Sequence, residues 1–483
     1  MKTQNEMNRW TVCKECAGRG KKKQRIRKSV KIRYERALEE FKNSDQKGPL
    51  PVRPHSHLLP CPICSGSGLI ASKDFRAPDH EKFPRVAIIG GGIGGVALAV
   101  ACLHRGIPFT LYERDESFAA RSQGYGLTLQ QASKAIDGFG IFSLDKGVVS
   151  TRHLAHTPGG KVVGEWGMRK WMENNTRNDS KRSNVHIARQ SLRSALLNQL
   201  AGTDYIKWGH QFISFNENKN GIELTFQVDG KTIDEQSDLL VGADGIRSVV
   251  RNLLIGEDSS PLRYLGCIVI LGICPLSALE NSSHHLLDSA TVFQTANGNE
   301  RIYVMPYDAD SVMWQLSFPM SEEDAKALSE KGSKALKEEA ILRTPWHAPI
   351  PEILIATDDS LISGYPVYDR DLLSADSLAQ AGAITLMGDA AHPMSPFKGQ
   401  GANQALLDAL SLAREIYKKC STGFNWRENG IREHLLKPFE TEMLERSAIK
   451  VKDSAAAAEF LHSEIALYEG DEPRGKVLKR RES

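Results

Sequence analysis

Val86-Ala87-Ile88-Ile89-Gly90-Gly91-Gly92-Ile93-Gly94-Gly95 is the stretch on which the fold turns. Four apolar residues read as a short buried strand, the glycines as a sharp turn, and Gly94 to His104 as the helix that follows. In this strand–turn–helix context the spacing Gly90-x-Gly92-x-x-Gly95 has mechanical meaning. The first glycine permits the turn, the second lets backbone approach a diphosphate, and the third allows close helix–strand packing. The helix N-terminus adds N–H groups and a favourable dipole. Gly90, Gly92, Gly94 and Gly95 are therefore expected against a dinucleotide. Pro108 to Glu113 reads as a second strand. Glu113 at its end, with Arg114 beside it, stands where a carboxylate accepts hydrogen bonds from a ribose diol.

Working outward, a chain of 483 residues has room for two or three domains. A net charge of +3 is too small at this size to make nucleic acid the main partner. The run Val86 to Leu103 is nearly as long as a membrane span, but its glycine cluster fits a turn and helix, so no span is expected. The polar start, Met1 to Trp10, lacks the apolar core of a secretory signal. The eight cysteines are accordingly expected in a reducing compartment, the cytoplasm.

From Arg85 onward the pattern is α/β. Ser191 to Leu200 reads as a helix with Leu192, Leu196, Leu197 and Leu200 on one face. Strand signals follow at Gly221 to Val228, Tyr264 to Cys274, Arg301 to Met305 and Val312 to Phe318, and the middle region reads as a largely antiparallel sheet. Ala383 to Met387 is a buried strand, Gly401 to Cys420 a long helix, and Arg432 to Leu467 helical. The expected organisation is a small cysteine module with a basic helical insertion over 1–80, then a Rossmann-like domain over 85–260. An inserted β-sheet domain covers 261–375, a return segment 376–425, and C-terminal helices with a charged tail 426–483.

Two further segments give the glycine turn its meaning. One is Asp238-Leu239-Leu240-Val241-Gly242-Ala243-Asp244-Gly245. The other is Met387-Gly388-Asp389-Ala390-Ala391-His392-Pro393, running on to Gly399-Gln400-Gly401-Ala402-Asn403. With these in order, residues 85 to 465 resemble the FAD-dependent aromatic hydroxylases, single-component flavoprotein monooxygenases of the p-hydroxybenzoate hydroxylase type. The nearest likeness is to the tetracycline-inactivating and salicylate-hydroxylase-like branch. The resemblance implies that Asp389 binds the ribityl chain or adjoining sugar of FAD, and that Glu113 holds the adenosine ribose. It implies that Arg189, in Ile187-Ala188-Arg189-Gln190-Ser191-Leu192, reaches the cofactor from a helix start. Asp244 would serve both FAD and NAD(P)H, and Pro396 with Gly399, Gly401, Ala402 and Asn403 would lie along the isoalloxazine ring. A loop feeding a long helix would place partial positive charge where reduced flavin becomes anionic.

The implied reaction is reduction of FAD by NAD(P)H, oxygen addition to give a flavin hydroperoxide, and transfer of one oxygen atom to a small aromatic or polyketide-like substrate. No second glycine fingerprint is visible, which fits a nicotinamide that binds transiently. No side-chain catalytic base is expected; His392 reads as a loop-orienting residue. In Val312-Met313-Trp314-Gln315-Leu316-Ser317-Phe318-Pro319 one face of the strand should line the substrate pocket, and alternation does not say which. Only the first tryptophan and the proline of the halogenase W-x-W-x-I-P pattern are present, which argues for oxygen transfer.

The first eighty residues are of another kind. Cys13-Lys14-Glu15-Cys16-Ala17-Gly18-Arg19-Gly20 and Cys61-Pro62-Ile63-Cys64-Ser65-Gly66-Ser67-Gly68 both read CxxCxGxG, resembling the zinc knuckles of the DnaJ cysteine-rich domain. Cys13, Cys16, Cys61 and Cys64 together make one tetrahedral zinc site. The basic run Lys21 to Lys28 and the charged helix Ser29 to Asn43 read as an insertion between the knuckles, and the module could recruit a protein partner. Cys102, Cys267, Cys274 and Cys420 follow no spacing and read as buried apolar residues. Two other function classes fit these features. One is a different FAD oxidoreductase on the same fold, and the other a zinc-knuckle interaction protein with a regulatory flavin domain.

Overall fold

The computed structural model describes residues 9–44, 50–54, 58–73, 76–120, 124–173, 184–200 and 204–474. The polar residues 1–8, Pro49 and the charged tail after 474 lie outside them. The central layer is a five-stranded, all-parallel sheet in the order Ile206–Lys207, Phe109–Tyr112, Val86–Ile89, Leu239–Gly242, Ile384–Leu386. Val86 to Ile89 are all buried, as a parallel strand covered on both faces requires. The three key segments start at the C-terminal ends of three adjacent strands: Gly90 after the first, Ala243 after the second, Met387 after the third. Loops at that edge of a parallel sheet form the ligand crevice.

The helix Ile93–Leu103 buries every residue except Gly94. It packs between the sheet and two helices, Arg189–Asn198 and Gly401–Ser421, so its all-round apolar character belongs to a core helix. No helix among the described residues is long and apolar enough to cross a membrane.

The strand Gly221–Val228 does not join the middle sheet. It is the centre of a separate antiparallel meander with Gln211–Asn218 and Lys231–Ser237. The middle sheet itself has seven strands, in the order Val162–Trp166, Arg152–His156, Thr291–Ala296, Arg301–Pro306, Ser311–Pro319, Leu262–Pro275, Ile362–Arg370. Only the pairing of Arg152–His156 with Thr291–Ala296 is parallel.

This sheet settles which side of the Trp314 strand is which. Val312, Trp314, Leu316 and Phe318 join Ala325, Leu336, Ala340, Ile353 and Leu354 in a core formed with the helices Glu322–Glu330, Ser333–Arg343 and Ile350–Ala356. Trp314 is fully buried and its indole N–H donates to Thr357 Oγ1 at 2.9 Å. Gly272 lies opposite, where a Cβ would sit 2.6 Å from the indole. The other face, with Met305 and Met313, turns toward the first domain: Met313 Sδ accepts from the Gly126 N–H at 3.0 Å. The tryptophan is therefore core, and the methionine face confronts the parallel-sheet domain.

The N-terminal module is two interlocked knuckles. Arg9–Val12 pairs with Leu69–Ser72, and Lys21–Lys23 with Leu58–Pro60, both antiparallel. Pro60 thus closes a strand. Cys13 N–H donates to Gly68 O at 2.9 Å and Cys61 N–H to Gly20 O at 2.8 Å. A Cβ on Gly20 would overlap the Gly66 carbonyl, and one on Gly68 the Gly18 carbonyl, so the glycines of the repeat exist to let the knuckles close on each other. The helix Lys28–Asn43 has no buried residue. All eight cysteines are buried and none is disulfide-bonded.

Candidate functional site: a cleft at the carboxyl edge of the parallel sheet

One cleft runs along this edge and encloses about 1290 Å³ of empty space, its solvent mouth included. Gly90, Gly92, Gly94, Glu113, Arg114, Arg189, Asp244, Asp389, Gly401 and Ala402 all line it. Gly92, Arg189 and Asp389, brought from three distant stretches, face the same space.

Each wall has a local cause. Gly90 adopts a positive φ of 107°, and a Cβ there would lie 2.6 Å from Ala243 O; only glycine fits. Glu113 Oε2 accepts from Gly91 N–H at 2.6 Å, and its Oε1 from Asp115 N–H at 3.0 Å. The second strand's carboxylate thereby braces the turn from below. Arg189 opens its helix with its guanidinium 5.9 Å from the Tyr125 ring centroid.

Asp244 lines the cleft, yet its carboxylate accepts from Ser248 Oγ at 2.5 Å and from the N–H groups of Val249 and Val250 at 2.7 and 3.2 Å. It caps the helix Val249–Ile255. Desolvation raises its pKa, and these donors pull against that rise.

Asp389 is exposed on the cleft wall and presents its carboxyl to the open space there. Desolvation raises its pKa above the ordinary carboxylate value, and His392 and Arg189 only partly offset this. Beneath it, Gly388 takes a positive φ of 58°. The Gly388 N–H donates to the buried Asp408 Oδ2 at 2.9 Å, and His392 Nε2 meets the same oxygen at 2.7 Å. Arg446 closes the network on Asp408 Oδ1 at 2.9 Å. His392 holds the turn.

The remaining expected residues are not among those lining the cleft: Gly95 and Asn403 are buried, Pro396 is half-buried and Gly399 exposed. Gly95 packs under the turn, where a Cβ would overlap the Gly90 carbonyl oxygen. Pro396 opens a single helical turn, Pro396–Lys398, and Gly399 ends it in the left-handed region. Asn403 is fully buried. Its amide donates to Thr128 O and Gly399 O, both at 2.8 Å, and its oxygen accepts from Gln130 and Ala132 N–H. It clamps the long helix to the strand Gly126–Leu129.

Two arginines were not singled out in the sequence. Arg193, buried in the cleft wall, donates to Gly91 O at 2.7 Å and lies 5.2 Å from the Phe118 ring and 5.6 Å from that of Trp208. Its i,i+4 spacing from Arg189 was the signal, since that spacing puts both on one helix face. Arg251 donates to Ala390 O and Ala391 O at 2.9 and 3.0 Å, tying the second segment to the third. No pattern announced it.

The cleft suits a dinucleotide cofactor by its own donors. The helices Ile93–Leu103 and Gly401–Ser421 both begin on it, and neither start has a side-chain cap. Their first N–H groups are left to a ligand, and helix N-termini favour anions. Asp389→Asn tests the cost of placing a carboxylate on this cleft wall. Because its folded pKa is raised, the carboxylate costs stability at neutral pH, and that cost vanishes as pH falls through the raised value. Because the residue is exposed, solvent screening keeps this cost small: flavin-stripped Asp389→Asn should melt marginally higher than wild type at pH 7 and no higher at pH 3.5, by scanning calorimetry.

In the module, the four sulfurs of Cys13, Cys16, Cys61 and Cys64 lie within 4.8 Å of one another. Cys16 Sγ and Cys64 Sγ are 3.7 Å apart. A tetrahedral Zn–S length of about 2.3 Å implies sulfurs about 3.8 Å apart. Gly20 N–H donates to Cys16 Sγ and Gly68 N–H to Cys64 Sγ, both at 3.2 Å, the bonds that steady thiolates. Desolvation pushes Cys16 up to about 12, so a cation is what would hold this thiol ionised at neutral pH.

Comparison with known proteins agrees with the geometry. Residues 84–423 match the family model described as FAD binding domain. Aurachin C monooxygenase/isomerase of Stigmatella aurantiaca is 31% identical over 336 residues, 68% of this chain and 79% of that one. The 3-amino-4-hydroxybenzoate 2-monooxygenase PtnB3 of Streptomyces platensis is 28% identical over 340 residues, 68% of this chain and 78% of that one. The structure of Klebsiella pneumoniae HpxO complexed with FAD and uric acid superposes with a TM-score of 0.63 at 20% identity, over 79% of this chain and 88% of that one.

Proposed function

Because the chain belongs to the FAD-binding-domain family and is an FAD-dependent monooxygenase of the aromatic-hydroxylase type, we propose that it hydroxylates a small aromatic or polyketide-like molecule. NAD(P)H is the reductant and O2 the oxygen source. The overall balance is substrate–H + NAD(P)H + H⁺ + O2 giving substrate–OH + NAD(P)⁺ + H2O. FAD supplies the transfer of electrons from nicotinamide to oxygen. The observation that carries this reading is the pair of uncapped helix starts opening on one cleft beside Arg189 and Asp389.

The residues have distinct tasks in this reading. The turn at Gly90–Gly92 and the helix it feeds receive the diphosphate, Glu113 and Arg114 the adenosine ribose, and Asp389 the sugar or ribityl hydroxyls. Gly401 and Ala402 aim N–H groups at the end of the cleft where the reduced cofactor's negative charge would be held. Arg189 and Arg193 close the cleft over the cofactor. The substrate lies between this cleft and the methionine face of the seven-stranded sheet. Met305 and Met313, both buried, pack with Tyr303 and Tyr307 on that side, and an apolar surface with phenol groups suits a flat ring.

The purified protein should be yellow. With the right phenol or aminobenzoate it should oxidise NAD(P)H faster and yield a product heavier by one oxygen atom. A colourless chain that cannot be reconstituted with FAD would overturn the reading. So would NAD(P)H oxidation giving only peroxide with every candidate. We also propose that Cys13, Cys16, Cys61 and Cys64 hold one Zn²⁺, whose binding would contribute on the order of 10 kcal/mol to folding the module.

A further inference from the structure

Two arginines of the flavin domain face the cysteine cluster. Arg105 follows the helix Ile93–Leu103 and is completely buried. One Nη donates to Ala101 O at 2.9 Å, while Nε and the other Nη are buried with no partner. A Cβ on Gly18 would lie 3.9 Å from that Nε, so the unpartnered edge looks onto the first knuckle. Arg414, on the helix Gly401–Ser421, donates to Gly18 O and to Ser67 O, both at 3.2 Å. It bridges the two knuckles. Neither arginine makes an ion pair among the described residues, and the two lie in each other's field. Two neighbouring like charges, Arg105 buried and Arg414 half-buried, are destabilising unless something of opposite sign compensates them.

Resting on the zinc reading above, we propose that Arg105 and Arg414 are the charge-balancing half of the metal centre. Four thiolates around a divalent cation carry −2, and the two guanidinium groups carry +2. The centre is neutral only when the module is loaded and docked on the flavin domain. Metal therefore staples the module to the domain as well as folding the module. The staple bears on the long helix, thirteen residues from Gly401 and so about 20 Å from the cleft. Trp10 extends the contact, its ring 4.6 Å from that of Phe142.

The test uses the full-length holoprotein. Zinc content is measured by mass spectrometry, and zinc release by transfer to 4-(2-pyridylazo)resorcinol, in wild type, Arg105→Met, Arg414→Met and Arg414→Lys. Both methionine variants should release zinc at least about tenfold faster than wild type, and the lysine variant by a smaller factor, since it keeps the charge. In wild type, chelation should lower the temperature at which flavin fluorescence is released. Zinc-loaded methionine variants with the wild-type release rate would overturn the inference alone. If those variants do not fold, an unchanged flavin-release temperature after chelation of wild type would overturn it. A wild-type protein that neither contains nor takes up zinc would overturn the zinc reading and this inference together.

Discussion

Gly95→Ala should purify colourless. A single methyl group at this position would overlap the carbonyl oxygen of Gly90. That carbonyl belongs to the turn itself, so relief requires the helix Ile93–Leu103 to lift from the strand Val86–Ile89. The helix is packed on all sides, and overpacking of such an interface costs about 1–3 kcal/mol. The larger effect falls on the cofactor. Lifting the helix moves the N–H groups of Ile93 and Gly94 away from where the proposed diphosphate would sit, and a displacement of about 1 Å is enough to lose charge-assisted hydrogen bonds. Retained FAD, read from visible absorbance against protein concentration, should fall below about one tenth of wild type. A yellow, stoichiometric variant would show that the turn does not hold the diphosphate.

Asp408→Ala is expected to be the most destabilising single substitution behind the site. Asp408 is fully buried, and its loss strips partners from Gly388 N–H, His392 Nε2 and Arg446 at once. Breaking one side of a buried pair costs about 3–5 kcal/mol, here a fall in Tm of roughly 5–10 °C. Arg446 keeps Gln404 and Glu442, which places the effect at the lower end. Asp408→Asn keeps an acceptor and should fall between. Burial alone would raise the Asp408 pKa, but His392 and Arg446 outweigh it and hold it low. The contribution is thus present above the ordinary carboxylate range and lost as pH falls through the depressed value. Wild type and Asp408→Ala should draw together in stability as pH falls below the ordinary carboxylate range and through the depressed value. Equal Tm values at pH 7 would refute the network's role.

The convergence of the three key segments was legible because each begins where a buried apolar strand stops. Strand ends and glycine turns leave a local mark, and neighbouring parallel strands bring such marks together. Side-chain engagement left no such mark. Asp244 lines the cleft as its motif suggested, but the bonds its carboxylate makes to Val249 and Val250 N–H, and those Asn403 makes to Gln130 N–H and Thr128 O, left no trace in the sequence. Arg193 hid among the leucines of its helix. The strand Arg152–His156 hid for another reason: with two histidines and an arginine in five residues it carries little alternation, and its place comes from its neighbours in the sheet. Arg105 and Arg414 were the least visible, because a charged residue near a helix end usually faces water. Only the docking of the module gives them a buried role.

The antiparallel ladder of Lys21–Lys23 with Leu58–Pro60 has a practical corollary. The polypeptide departs at Lys23 and comes home at its rung partner Leu58, while the intervening helix hides none of its side chains. Lengthening such an excursion adds only a slowly growing entropic penalty. A fluorescent reporter or affinity handle grafted between those rungs would ride on the molecule as a passenger, leaving knuckles and cleft alike undisturbed.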